Sequence, residues 1–348
     1  MIHNKTTGER KLMLFSGRAH PRLATEVAAC LGLEPAPTQA RDFANGEIYI
    51  RYDASARGAD CFVLQSHTAP INQWLMEQLI MIDALKRASA RSITVIAPFY
   101  PYARQDKKHL GREPISARLV ADLLQRAGAE RLMCVDLHAA QIQGFFDGPV
   151  DHLFALPVLA AHVAAHHSPD QLTIVSPDAG GVRRADQWSQ HLGAPLAIVH
   201  KRRDPRTAHS VKAISVVGDI QDRTCVLVDD MVDTAGTICA AADALHDHGA
   251  REVIVAATHA VLSDPAPQRL RDSAVAEFLF TDTLPLPQSL AQAANVTTLP
   301  IAPLIARAIQ EVFDDGSVTQ LEGTSPPHPR RTETEQADGT RDGSSTHP

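Results

Sequence analysis

The chain has 348 residues, enough for two domains of ordinary size, and its 44% hydrophobic and 21% charged content is that of a soluble globular protein. A net charge of −7 leaves no basic surplus of the kind that nucleic-acid binding needs. The polar start MIHNKTTGERK has no apolar signal core and no apolar run reaches membrane-spanning length, so no nucleic acid, no membrane and a cytoplasmic location are expected.

Cys30, Cys61, Cys134, Cys225 and Cys239 are scattered, with no C-x-x-C, which fits reduced, packed thiols better than disulfides or a zinc site. Along the chain, DALKRASARSITVIA (83–97) reads as a helix end, a turn and an apolar strand. After it, APFYPYARQDKKH puts Arg104, Gln105, Asp106 and two lysines in a basic loop. The strand in MCVDLHAAQ ends at Asp136, with His138 just beyond. A domain boundary is expected near Leu153–Pro157, in VDHLFALPVL. His162 and His166, one helical turn apart, have a spacing that suits a metal, but no partner is evident and a solvated helix face is the better reading.

IVSPDAGGVRR ends another strand at Asp178. A His and an Asp from neighbouring strand ends could hold a divalent ion or merely orient a loop. IVHKRRDPRTAHSVK is a basic run without helical or strand period, containing Lys201, Arg202, Arg203 and Arg206. Such a segment suits a lid closing over polyphosphate charge.

Cys225–Val228 then reads as a buried strand, and TICAAADALHDHG as a helix with Ile238, Ala242 and Leu245 on one face and Gly249 as its stop. Between them, DMVDTAGT lies at a helix start, where unpartnered N–H groups favour an anion. Small residues let the backbone approach, and Thr234 and Thr237 add hydroxyls. Asp229 and Asp230 would repel a phosphate, so sugar hydroxyls or a divalent cation are expected opposite them. An ordinary acidic loop with a threonine N-cap is the plainer alternative.

An internal echo organises these elements. DALKRASARSITVIA and DALHDHGAREVIVAA (243–257) match at seven of fifteen positions at an offset of 160, and GADCFVLQSHTAP resembles DRTCVLVDDMVDT upstream. Duplication of an α/β unit with a mostly parallel sheet follows. The first copy lacks the acid pair and T-x-G-T, so the second is expected to hold the sugar phosphate. IAPLIARAIQEVF is a final helical or strand-like piece. Beyond Leu321 the segment is nearly free of apolar residues and is expected to be disordered.

FANGE, LMEQLIMIDALKRASA, YARQDKK, REPISARLVADLL, DLHAAQIQGFFD, SPDAGG, HKRRDP and DDMVDTAGT occur in this order over roughly residues 11–321. Together they resemble the class I ribose-phosphate pyrophosphokinases (PRPP synthetases), and the last also resembles the PRPP loop of phosphoribosyltransferases. The resemblance implies an α/β fold of two tandem phosphoribosyltransferase-like domains, 11–155 and 156–321, with a tail at 322–348. It implies ATP and ribose 5-phosphate as substrates, Mg2+ as cofactor, and a homohexamer. By position, Asp229, Asp233, Thr234, Ala235, Gly236 and Thr237, with Arg203, would hold ribose 5-phosphate. His138 and Asp178 would bind magnesium. Arg104 and Gln105 would contact ATP, with Asn45, Gly46 and Glu47 reaching it from a neighbouring subunit, and Lys201 and Arg203 would be catalytic. The sequence departs from the family pattern at Asn45, Leu110, Ala140 and Glu322. A non-catalytic associated subunit is the alternative that keeps the fold.

Overall fold

The protein is described by a computed structural model covering residues 5–7, 10–203, 211–290 and 292–322. The tail beyond 322 and the tip of the basic segment, 204–210, fall outside the described residues, as do the side chains of 201–214.

The first half runs β1 (Lys5–Thr7), β2 (Arg10–Ser16), α1 (Pro21–Cys30), β3 (Thr38–Asp42), β4 (Ile48–Tyr52), β5 (Asp60–Leu64), α2 (Ile71–Arg87), β6 (Ser92–Ala97), α3 (Ser116–Ala127), β7 (Arg131–Val135) and β8 (Val150–Leu153). The second runs α4 (Leu156–His166), β9 (Leu172–Ser176), α5 (Val182–Leu192), β10 (Leu196–Arg203), β11 (Val211–Val217), β12 (Thr224–Val232), α6 (Gly236–Asp247), β13 (Glu252–Ala260), α7 (Ala266–Asp272), β14 (Glu277–Thr281), β15 (Val296–Leu299) and α8 (Ala302–Phe313). One sheet has the order β1-β2-β5-β6-β7-β8 and the other β11-β10-β9-β12-β13-β14-β15. Both are parallel except for their edge strands β1 and β11, which pair antiparallel. The expected α/β class is therefore the observed one.

The strand sequences explain the layering. Strands buried on both faces send alternate residues to opposite cores. In β2, Leu12 and Leu14 join a central core while Met13 and Phe15 join an outer one under α2 and α3. In β12, Val226 and Val228 join the same central core, and Cys225 and Leu227 an outer core under α6 and α7. The central core also takes Val27 of α1, Val163 of α4, Trp188 of α5 and Ile305 of α8. Helices from both ends of the chain thus close one shared core.

The sequence echo corresponds to a repeated unit. β5–α2–β6 and β12–α6–β13 occupy matching places, β5 between β2 and β6, β12 between β9 and β13. Cys61 in β5, Cys134 in β7 and Cys225 in β12 are buried as thiols. IAPLIARAIQEVF is a helix, α8, with Ile305 and Ile309 buried on one side.

Two local expectations are corrected. The HKRR segment, read as lacking strand period, is extended: β10 reaches Arg203 and pairs with β11 through a register shift between Lys201 and Arg203. An edge hairpin needs backbone pairing but no alternating burial, so its side-chain pattern is silent. His162 is not simply solvated; it is half-buried, and its Nε2 lies 3.2 Å from Glu277 Oε1.

The C-terminal ends of the two sheets face each other. Ser66 Oγ donates to Thr283 O (2.8 Å), and Thr258 Oγ1 donates to Asp136 Oδ2 (2.6 Å). His259 is buried with Nε2 3.0 Å from Val135 O and 3.2 Å from Asp136 O. Two carbonyl neighbours make Nε2 the protonated nitrogen, and burial lowers the ring's pKa, keeping it neutral. Phe99, Met231 and Leu284 form a small apolar cluster at the same joint.

Candidate active site

The joint gathers polar groups from both halves because α/β sheets place their loops at the carboxyl ends of strands. From the second half comes the turn after β12. Ala235 takes a left-handed conformation (φ 61°) as the N-cap of α6, and no side chain caps this helix. The threonine cap considered from the sequence is therefore not formed, and the first-turn N–H groups remain for another acceptor. Arg269 Nη1 donates to Thr234 O at 2.8 Å, and it lies 3.1 Å from where a Cβ on Gly236 would sit. A side chain at 236 would press on that guanidinium, whose exposed end would have to shift by a few tenths of an ångström.

The two acids preceding the turn differ in surroundings. Successive strand residues point to opposite faces. Asp229 has a side chain 25% exposed, whereas that of Asp230 is 2% exposed. Arg184, from the first turn of α5, spans them, with Nη1 3.0 Å from Asp229 Oδ1 and Nη2 3.1 Å from Asp230 Oδ1. The other oxygen of Asp230 meets His138 Nδ1 at 2.8 Å. Burial, then the adjacent Asp230 charge, pushes the Asp229 carboxyl up to about 7. Burial also opposes ionisation of Asp230, but its bond from His138 and the Arg184 charge outweigh this and hold it well below the usual carboxylate range. The bond to Asp230 raises the His138 pKa against its burial. Sequence reasoning set both acids toward a ligand; the structure turns Asp230 inward.

From the first half, Arg104 reaches across the joint, with Nη1 2.6 Å from Asp233 Oδ2. Gln105 Oε1 accepts from Ser116 Oγ (2.6 Å) at the start of α3. Thus Arg104 meets Asp233, and His138 meets the acid pair through Asp230. Asp178 stands on the neighbouring βα loop, exposed, with Oδ1 accepting from Gly180 N (2.8 Å) and Gly181 N (3.0 Å). It does not touch His138, and among the described residues no three His, Cys, Asp or Glu side chains converge as a metal cluster. Asn45, Gly46 and Glu47 sit at the exposed tip of the β3–β4 ribbon, where Glu47 N donates to Asn45 Oδ1 (3.2 Å), and the bonds of this tip stay within it. Lys201 and Arg203 are at the end of β10. The sequence reading missed Arg184, Arg269 and Thr258. The first lies three residues beyond SPDAGG, yet which of Arg183 and Arg184 faces the sheet depends on the setting of α5.

Two mostly parallel α/β sheets joined at their strand ends, one carrying an acid-flanked helix start, are the frame of an α/β enzyme. Residues 12–128 match the family model for the N-terminal domain of ribose phosphate pyrophosphokinase, and residues 197–322 match that for the phosphoribosyl synthetase-associated domain. The chain is 69% identical over 317 residues to a ribose-phosphate pyrophosphokinase of Streptomyces avermitilis, covering 91% of this chain and 98% of the relative. It is 59% identical over 313 residues to that of Corynebacterium efficiens, covering 90% and 96%. The crystal structure of phosphoribosylpyrophosphate synthetase from Mycobacterium smegmatis superposes with a TM-score of 0.83 at 57% identity, over 88% of this chain and 99% of that one. The chain belongs to the ribose-phosphate pyrophosphokinase family.

Proposed function

We propose that this protein transfers the diphosphoryl group of ATP to the 1-hydroxyl of ribose 5-phosphate, giving PRPP and AMP for nucleotide biosynthesis. The observation that supports the reading is the ion pair of Arg104 with Asp233 at 2.6 Å, which joins the YARQD loop of the first half to the turn after β12.

The 1-hydroxyl attacks the β-phosphorus and AMP leaves in line, a reaction that depends on positioning and charge neutralisation. The N–H groups and hydroxyls of Asp233–Thr237 hold the 5-phosphate, and the more exposed acid, Asp229, accepts from the ribose hydroxyls. Arg104 and Gln105 hold ATP. Lys201 and Arg203 stabilise the moving diphosphoryl group from the hairpin at the sheet edge. Asn45, Gly46 and Glu47 serve the ATP site of a neighbouring subunit, which fits a tip whose bonds among the described residues stay within it and favours a homo-oligomer, in this family's pattern a hexamer.

The exposed Asp178 carboxylate suits magnesium, which prefers oxygen ligands, keeps several waters and takes few groups from protein, while the His138 nitrogen suits it better through one of those waters. An exposed Asp178 carboxylate and a His138 Nε2 without a partner among the described residues would hold it, directly or through water. Bound there, it would neutralise ATP phosphate charge. No helix among the described residues is long and apolar enough to cross a membrane, in keeping with a cytoplasmic enzyme. The test is AMP formation from ATP. It should require ribose 5-phosphate and magnesium, and light scattering should give an assembly. A protein that forms no AMP but binds active synthetase subunits would be the associated, non-catalytic kind.

A further inference from the structure

Of the two adjacent acids, we infer that Asp230 is a positioning residue rather than a sugar ligand, holding the His138 imidazole across the joint with Nδ1 protonated and Nε2 free for the substrate side. Both oxygens of Asp230 are already used inside the protein. Oδ1 faces Arg184 Nη2 at 3.1 Å, Oδ2 faces His138 Nδ1 at 2.8 Å, and only 2% of the side chain is exposed. A carboxylate so enclosed has no route to a ribose hydroxyl unless both bonds break. Asp229, 25% exposed, has that route. An ionised carboxylate only accepts hydrogen bonds, so the ring nitrogen beside it must be the N–H donor. Nε2 then carries the lone pair, and it takes no partner among the described residues. Arg184 supplies the countercharge that keeps Asp230 ionised in its buried place, and its second nitrogen holds Asp229 at 3.0 Å. One arginine thus fixes the sugar-side acid and, through Asp230, the orientation of a histidine from the other half.

Carboxylates that orient a ligating histidine in this way typically contribute about 10–100-fold to affinity or activity. The kinetic arm of the test rests on the proposed activity; the spectroscopic arm does not. In the wild-type protein without substrate or metal, at a pH where the ring is neutral, 15N-histidine labelling and magic-angle-spinning NMR should show His138 as the Nδ1–H tautomer. Its signal is assigned by its loss in His138→Gln. Asp230→Asn puts an amide between two donors and should shift this tautomer. It should also lower kcat/KM for ATP by about 10–100-fold, while KM for ribose 5-phosphate changes less than about twofold. An Nε2–H tautomer in the wild type would overturn the inference. So would a tenfold or larger rise in ribose 5-phosphate KM with kcat preserved, the mark of a lost sugar contact. If Asp230→Asn does not fold, the wild-type tautomer alone decides.

Discussion

The turns after β5 and β12 leave equivalent strands of two related sheets, yet one is closed and the other open. After β5 the positions of the acid pair hold Gln65 and Ser66, and the gap is filled from within. The Gln65 amide lies over Gly17, where an added Cβ would fall 2.2 Å from Oε1, and it donates to Glu77 Oε1 at 3.0 Å. Glu77, fully buried, accepts from Arg18 N (2.7 Å) and Arg18 Nε (2.6 Å). A carboxylate of the protein's own thus occupies this turn and draws the local donors. After β12 there is no such plug. The acids there stand beside Arg184, whose side chain is 26% exposed and open to a ligand. A duplicated frame can keep one copy as scaffold when internal charges satisfy its donors, leaving the other to bind.

If the open turn is a catalytic site rather than a second scaffold, removing magnesium gives the largest effect. Excess EDTA should abolish AMP formation while the melting temperature stays within a few degrees, because the described residues hold no three-ligand metal cluster on which folding could depend. Turnover that persists in EDTA, or unfolding on chelation, would count against it. Next comes Lys201→Ala. An interaction made only in the transition state appears in kcat, and losing one charged stabiliser in a closed site costs on the order of 10²–10³ in rate, about 2.7–4 kcal/mol. A near-normal kcat with a KM that rises only at low ionic strength would reduce the hairpin to anion steering.

The open turn was legible because its signals are local: an apolar strand, small residues, a helix period and a glycine stop lie within two dozen residues. The closed turn was legible only as a lack of those signals. That Gln65 and Glu77 fill it depends on Gly17 and Arg18, from the loop after β2. The direction of Asp230 was equally hidden. Strand alternation separates it from Asp229, but which of the two faces the cleft is set by Arg184 and His138, brought in by sheet order and by the joint. The shared central core has the same origin, since α1 and α8 meet there from opposite ends of the chain.

The plug in the closed turn should contribute to stability, not turnover. Glu77→Ala removes a fully buried carboxylate and strands the donors of Arg18 and Gln65. Breaking a buried pair on one side costs about 3–5 kcal/mol. Denaturant unfolding should show a loss of that order, lessened by the partial exposure of Arg18, which can turn to water. KM for both substrates in the protein that remains folded should be little changed. A stable variant with a raised ATP or ribose 5-phosphate KM would mean that the first turn also serves the site.

The smallest effect is expected from the ion pair that joins the two regions. Arg104 and Asp233 are as close as Arg18 and Glu77, 2.6 Å in each case. Their surroundings differ by degree: the side chains of Arg104 and Asp233 are 57% and 20% exposed, those of Arg18 and Glu77 30% and 0%. In water-rich surroundings the attraction is screened and ordering two side chains costs entropy, so such pairs contribute about 0.2–1 kcal/mol. A double-mutant cycle with Arg104→Gln and Asp233→Asn should give a coupling energy within that range, weakening with added salt. Arg104→Gln should still raise KM for ATP, because a group held so loosely to its neighbour is free to exchange it for a phosphate. A coupling well above about 2 kcal/mol would place this pair among buried, hydrogen-bonded contacts instead. The turn after β12 would then be plugged by its own charges as the turn after β5 is, and the contrast between an open and a closed copy would fail.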